Sequence, residues 1–242
     1  MPASLYLIPV TLGETPVPDV IPSRALRILK ELRHFAVEDL RTARRYLRKA
    51  GVTGDLSPFR FYLLNEHSSP GDVEEMLRVL GDGQSMGILS EAGLPAVADP
   101  GADLVAMAHG LGIRVVPLSG PSSIFMALMA SGMNGQSFRF HGYLPVKSAG
   151  RIGRLRRIEK TARESGETQI FMEAPYRNMQ LLEDLLKHCM EETMLCVAAD
   201  ISLDTEFIRT RSIRDWRKEA PSLHKRPAVF LIGTVAGKVN CR

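Results

Sequence analysis

The sequence predicts an α/β chain built as two domains, and three observations carry that prediction. Short apolar runs alternate with amphipathic helical stretches through the first half; the turn Ser119-Gly120-Pro121 punctuates the midpoint; and the charge changes sign there. Alternation of this kind produces βαβ units and a largely parallel sheet. The 242 residues suffice for two domains of about 120 residues each, drawn here at 1–119 and 120–242.

The elements follow in order. Leu5–Ile8 reads as a first strand. Ser23 is placed to cap a helix over 24–33, whose Leu26, Leu29 and Leu32 recur at helical spacing. His34–Val37 is a strand and 38–50 a helix stopped by Gly51. The runs 59–64, 85–89 and 113–118 read as strands, and 71–80 and 101–111 as helices. Beyond the midpoint, 122–130 is a helix. Strands are expected at 138–142, 168–173, 194–199, 205–210 and 228–233, and helices at 151–163, 176–189 and 213–218. These no longer alternate cleanly, which predicts a mixed second sheet.

Composition excludes several classes. No apolar run approaches the roughly 20 residues of a membrane span, and the N-terminus has no charged region followed by a cleavage site, so neither a membrane protein nor a signal peptide is expected. Cys189, Cys196 and Cys241 are odd in number and lack CxxC spacing, which fits reduced, structural thiols in a cytoplasmic protein. The six histidines form no metal-ligand pattern, so no metal is expected. Neither GxGxxG nor GxxxxGK[ST] follows the first strand, and no GxSxG occurs, which argues against dinucleotide enzymes, P-loop NTPases and α/β-hydrolases.

Charge points to an anionic partner for the second half. Residues 1–119 carry 12 Lys/Arg and 14 Asp/Glu, net −2, whereas 120–242 carry 19 and 13, net +6. Between Lys147 and Arg163 lie seven basic residues (Lys147, Arg151, Arg154, Arg156, Arg157, Lys160 and Arg163) and one acid, Glu159. Such a stretch can bind phosphates or be a solvated helix. A second basic face runs through Arg41, Arg44, Arg45, Arg48 and Lys49.

The stretch SEAGLPAVADPG at 90–101 is longer than the two to six residues or so of an ordinary connection. Together with LYLIPVTLG, AVEDLR, VVPLSGPSS, FRFHGYLPVKSAGR and FMEAPYR, in this order, it resembles the tetrapyrrole methylase superfamily of class III S-adenosylmethionine (SAM) methyltransferases. The pattern is most similar to the small-subunit ribosomal RNA cytidine 2′-O-methyltransferases, with departures. The resemblance implies two α/β domains with SAM in the cleft between them and, commonly, a homodimer. It carries the SAM site to Pro9, Leu12, Gly13, Glu91, Ala92, Gly93, Pro95, Ser122, Ser123, Met172, Ala199, Pro227 and Ala228. Asp99 is either a further ribose acceptor or a helix cap. Base candidates for deprotonating a hydroxyl are Glu38, Asp39 and Glu173, against helix-start and salt-bridge roles for the same residues. Lys147, Arg151, Arg154 and Arg177 are the expected RNA contacts.

The departures lie mostly on the acceptor side. The usual Gly-Asn of the first loop is Gly13-Glu14; the SDAGTP turn has Glu91 and Leu94; the histidine of ESPHR is Tyr176; RELTKxxE is replaced by Ala199 to Glu206; and the usual Gly-Glu before the last strand is Lys225-Arg226-Pro227. Three functions compete: methyl transfer to ribosomal RNA in the small subunit, methyl transfer to a tetrapyrrole or other metabolite, and a non-catalytic SAM- or RNA-binding protein of this fold.

Overall fold

A computed structural model describes residues 3–235. The chain divides between Ser122 and Ser123 into two compact units.

The first unit contains a five-stranded sheet. In chain order its elements are β1 (Ser4–Ile8), α1 (Val17–Val20), α2 (Ser23–Glu31), β2 (His34–Val37), α3 (Leu40–Lys49), β3 (Arg60–Leu63), α4 (Pro70–Gly81), β4 (Met86–Leu89), α5 (Gly101–Gly110) and β5 (Arg114–Pro117). The strand order is β3-β2-β4-β1-β5 and every pairing is parallel. Alternate strand residues feed two cores. Ile8, Phe35, Val37 and Leu89 pack with Ala25 and Leu29 of α2 and with Ala43 and Leu47 of α3. Leu5, Ala36, Met86 and Ile88 pack with Met76 and Leu80 of α4 and with Leu104 and Ala108 of α5. Gly87 leaves the room the first core needs: a Cβ there would lie 2.5 Å from Ile8 Cδ1.

This arrangement fixes where a ligand can dock. The chain leaves β1 towards the face covered by α2 and α3, and leaves the neighbouring β4 towards the face covered by α5. Adjacent parallel strands whose exits diverge open a crevice at their carboxyl ends, the switch point of an open α/β sheet.

The second unit runs α6 (Ser123–Ser131), β6 (Phe138–Tyr143), α7 (Ser148–Ser165), β7 (Thr168–Met172), a 3₁₀ turn (Pro175–Arg177), α8 (Asn178–His188), β8 (Met194–Ala199), β9 (Phe207–Ser212), α9 (Ile213–Lys218) and β10 (Ala228–Gly233). Its sheet has the order β6-β7-β10-β8-β9. Only β6 and β7 are parallel; the other three pairings are antiparallel. Its core joins Leu155 and Ile158 of α7 and Leu181 and Leu185 of α8 to Phe171, Val197 and Phe230 of the sheet. Buried Trp216 donates its indole N–H to the Leu195 carbonyl at 2.9 Å.

The expected strands and helices are present, with local corrections. Ser23 is the first helical residue rather than the cap; Pro22 precedes it and no side chain caps the helix. Helix α1 had no sequence signal, being four residues with Pro18 inside. The helix expected at 176–189 is split, because Pro175 starts a 3₁₀ turn before α8. The strand expected from Thr205 begins at Phe207. Cys189 and Cys196 are free and buried, and burial first of all pushes their thiols up to about 12 and about 11. Cys241 lies outside the described residues. Among the described residues no helix is long and apolar enough to cross a membrane, and no group of His, Cys, Asp and Glu gathers as a metal site.

Candidate active site

At the switch point of the first sheet, three loops interlock. The loop after β1 meets the loop after β4 through Val10 N–H, which donates to the Gly93 carbonyl at 2.9 Å. Gly93 has φ +75°, and a Cβ there would sit 3.2 Å from Leu12 Cδ2 and 3.5 Å from the Pro121 carbonyl oxygen. The loop after β5 closes on the first through Gly120, where a Cβ would fall 2.1 Å from Pro9 Cβ. Pro9, Leu12, Gly93 and Gly120 therefore belong to one knitted surface, and Gly13 and Pro95 lie in its loops. Tyr46 of α3 anchors it by donating its hydroxyl to the Pro9 carbonyl at 2.9 Å.

Asp99 decides the shape of the 90–101 loop. Its carboxylate accepts from Ala96 N–H at 2.8 Å and from Gly101 N–H at 2.8 Å. Ala96 and Ala98 are both left-handed, with φ +64° and +63°, a conformation that costs a non-glycine residue roughly 1 kcal/mol or more. The clamp offsets that cost. Asp99 is thus a turn staple that also holds the start of α5.

Carboxylates surround this surface. Glu38 Oε1 accepts the Glu91 N–H at 3.0 Å, and Glu91 Oε1 accepts the Thr42 hydroxyl at 2.5 Å. Burial raises the Glu38 carboxyl above its ordinary value, against the Glu91 N–H, with Asp99 and Glu91 adding repulsion. Burial raises Asp99 likewise, opposed by its two N–H partners. Glu38 and Asp99 line one small cavity of about 10 Å³. Asp39 differs: it caps α3, accepting from Arg41 N–H at 2.9 Å and Thr42 N–H at 2.8 Å, and these bonds lower it. A neighbouring cleft of about 130 Å³ is walled by the 10–14 loop, Asp39, Thr42, Tyr46 and Glu91.

The second unit gathers four of the remaining expected cofactor residues at one sheet edge. Met172 ends β7, Ala199 ends β8, and Pro227-Ala228 opens β10; the register pairs Val229 with Met172 and Ala228 with Ala199. The Pro227 carbonyl accepts the Asp200 N–H at 2.9 Å. Ala199 and Ala228 are buried, so they offer backbone and shape rather than side chains. Ser122 and Ser123, both half-buried, stand at the start of α6. Exposed Ala92 lies beside Gly93.

Acceptor-side residues fare unevenly. Glu173 is fully buried and pairs with Arg177 at 2.5 Å, the salt bridge weighed against a base role; its Oε2 and the Arg177 Nε have no partner among the described residues. Arg151 must be withdrawn as an RNA contact. It is 1% exposed, paired with Asp184 at 2.6 Å and bonded to the Val146 carbonyl. Arg154 is half-buried and donates to His141 Nδ1 at 2.9 Å, while His141 Nε2 meets Gln169. Lys147 is exposed at the head of α7. On the other basic face, Lys49 pairs with Glu14, Arg48 binds the Val52 and Gly54 carbonyls, and Arg44 covers the Phe61 ring.

Sequence reasoning missed Tyr46, Thr42 and the pair Asp200–Arg226. Arg226 Nε lies 2.7 Å from Asp200 Oδ2, and Arg226 Nη2 donates to the Thr205 carbonyl at 2.6 Å. Two departures from the family pattern, distant in sequence, therefore meet in space. The departure at residue 14 is likewise matched, since Glu14 finds Lys49.

Residues 4–216 match the profile of the Tetrapyrrole (Corrin/Porphyrin) Methylases. The chain belongs to this family. A Pseudomonas aeruginosa protein named Ribosomal RNA small subunit methyltransferase I is 32% identical over 232 residues, covering 95% of this chain and 78% of that protein. An Escherichia coli O157:H7 protein of the same name is 32% identical over 231 residues, covering 94% and 77%. Among solved structures, the methyltransferase CobJ superposes with a TM-score of 0.63 at 16% identity, covering 97% of this chain and 95% of that one. A Thermus thermophilus uroporphyrin-III C-methyltransferase complexed with S-adenosyl homocysteine gives 0.58 at 18%, covering 96% and 98%. This methylase is a SAM-dependent methyltransferase.

Its residues fit that cofactor. The left-handed Gly93 and the Gly120–Pro9 contact create a backbone cradle that side chains would fill. Half-buried Leu12 offers an apolar surface for a ring, and the nearby carboxylates suit hydroxyl donors and a cationic centre.

Proposed function

We propose that this methylase transfers a methyl group to a ribose 2′-hydroxyl of small-subunit ribosomal RNA. One observation carries the reading: relatives named for that RNA align with 95% of the chain at 32% identity. The basic second half supports it, since an RNA acceptor needs phosphate contacts.

In this reading SAM supplies an activated methyl group on a sulfonium. Pro9, Leu12, Gly13, Ala92, Gly93 and Pro95 shape the surface that holds it, and Glu91 accepts from its polar groups. Ser122 and Ser123 bind with the N–H groups at the start of α6. Met172, Ala199, Pro227 and Ala228 are the further cofactor residues of this reading. Glu38 is the best of the three base candidates. It is partly buried and raised, so it takes a hydroxyl proton more readily than Asp39, which the N–H groups of Thr42 and Arg41 hold below the ordinary carboxylate value. Glu173, already paired, serves Arg177 as a positioning partner. Lys147, Arg154 and Arg177 face the RNA. Proximity supplies much of the rate, because displacement on SAM needs only alignment and a deprotonated nucleophile. We further propose a cytoplasmic homodimer, for which exposed Phe125 and Met129 on α6 offer an apolar contact surface.

The test is a transfer assay with methyl-labelled SAM, offering unmethylated small ribosomal subunits and, separately, a tetrapyrrole precursor. Label in the subunit RNA supports the reading; label in the tetrapyrrole, or in neither, overturns it.

A further inference from the structure

We propose that Tyr176 is a stacking platform for an unpaired base of the acceptor RNA, with Tyr143 beside it and Lys147 and Lys225 holding the flanking phosphates. The inference rests on the RNA reading above and adds residues that reading does not assign.

Tyr176 follows Pro175 in the 3₁₀ turn after β7. It is 67% exposed, yet it does not hang free. The Arg177 guanidinium lies 4.8 Å from its ring centroid, and Arg177 Nη1 donates to its hydroxyl at 2.6 Å. Arg177 is fixed in turn by fully buried Glu173 at 2.5 Å. Asn178, also buried, donates to the Arg226 carbonyl at 2.6 Å, and Lys225 N–H donates to the Pro175 carbonyl at 3.2 Å. An exposed aromatic ring is thus braced by Arg177, which the buried Glu173 carboxylate fixes, in a turn tied to 225–226 by backbone acceptors. Bracing contributes nothing to burying that ring. It does prepay the ordering that stacking requires.

The neighbours have the matching chemistry. Tyr143 is 59% exposed and pairs in register with Met172, one strand over at the same sheet edge. Val146 is 59% exposed, and Lys147 follows it. Lys225 is exposed and held at φ +57°. Neither lysine is in an ion pair among the described residues. Because Glu173 neutralises Arg177, the guanidinium acts through its plane and the lysines act through charge. Aromatic faces flanked by unpaired cations are what a single strand uses and a duplex, whose bases are already stacked, cannot.

The test uses the full chain with a labelled, mixed-sequence single-stranded oligoribonucleotide and with the same strand annealed to its complement. Wild type should prefer the single strand. Tyr176→Ala should weaken single-strand binding about 5- to 150-fold, the range of one lost stack. Tyr176→Trp should restore it, and SAM affinity and the unfolding midpoint should stay unchanged in both variants. If Tyr176→Ala binds the single strand as wild type does while wild type still methylates small subunits, the platform is overturned and the RNA reading stands. If wild type binds SAM but neither binds the strand nor methylates subunits, the RNA reading fails and the platform with it.

Discussion

The first unit's loop surface and the second unit's strand edge are built by different means. The first is made of backbone: a left-handed Gly93, strained Ala96 and Ala98, and a glycine packed on a proline. The second is made of side chains: Glu173 with Arg177, Asp200 with Arg226, and braced Tyr176. A backbone surface tolerates few changes at its strained positions, and its departures from the family pattern, Glu14, Glu91 and Leu94, are single residues beside them. A side-chain surface can change one partner if the other follows, and here both members of the Asp200–Arg226 pair lie in stretches that depart from the family pattern. The longer departures from the family pattern, Ala199 to Glu206 and Lys225 to Pro227, lie on the second kind of surface.

That contrast predicts opposite sensitivities. The largest effect on stability should come from Arg177→Ala, which leaves the buried Glu173 carboxylate unpaired and should cost about 3–5 kcal/mol, read from the urea midpoint at constant slope. A loss within experimental error would mean the edge is not built on this pair. Next, Gly93→Val forces a branched residue into φ +75° against Leu12 and Pro121. Strain of about 1–3 kcal/mol at the cradle should raise the SAM dissociation constant roughly 10- to 100-fold, measured by calorimetry. Unchanged affinity would remove Gly93 from the cofactor surface.

How much of this was legible in the sequence follows from the same contrast. The 90–101 turn announced itself through Gly93, Pro95 and Pro100, because positive φ and chain reversal demand particular residues. The sheet strands were visible because two-sided burial writes near-continuous apolar runs such as MGIL at 86–89. Arg151 misled because a basic run looks solvated until the fold supplies Asp184, 33 residues away. Asp200–Arg226 was illegible for the same reason, being 26 residues apart and without a motif. Tyr46 and Thr42 reach the loops from one face of α3, which spacing alone does not reveal.

The smallest effect concerns pH. Glu38 and Asp99 are both raised by burial, so folding favours their protonated forms. Their contribution is fully present below the ordinary carboxylate range near pH 4 and is lost as pH rises through their raised folded values. Glu38→Gln, which keeps an acceptor for the Glu91 N–H, should therefore gain stability over wild type at neutral pH and not at acid pH, while methyl transfer falls. A variant with full activity would exclude Glu38 as the base.

The central claim, methyl transfer to an RNA ribose, is tested most directly by digesting the labelled product to nucleosides. Small ribosomal subunits lacking the modification would be incubated with the enzyme and methyl-labelled SAM, and the RNA would be hydrolysed and resolved by mass spectrometry. The account predicts label in a single 2′-O-methylated nucleoside. Label on a base, or an unlabelled RNA beside a methylated tetrapyrrole precursor, would contradict it.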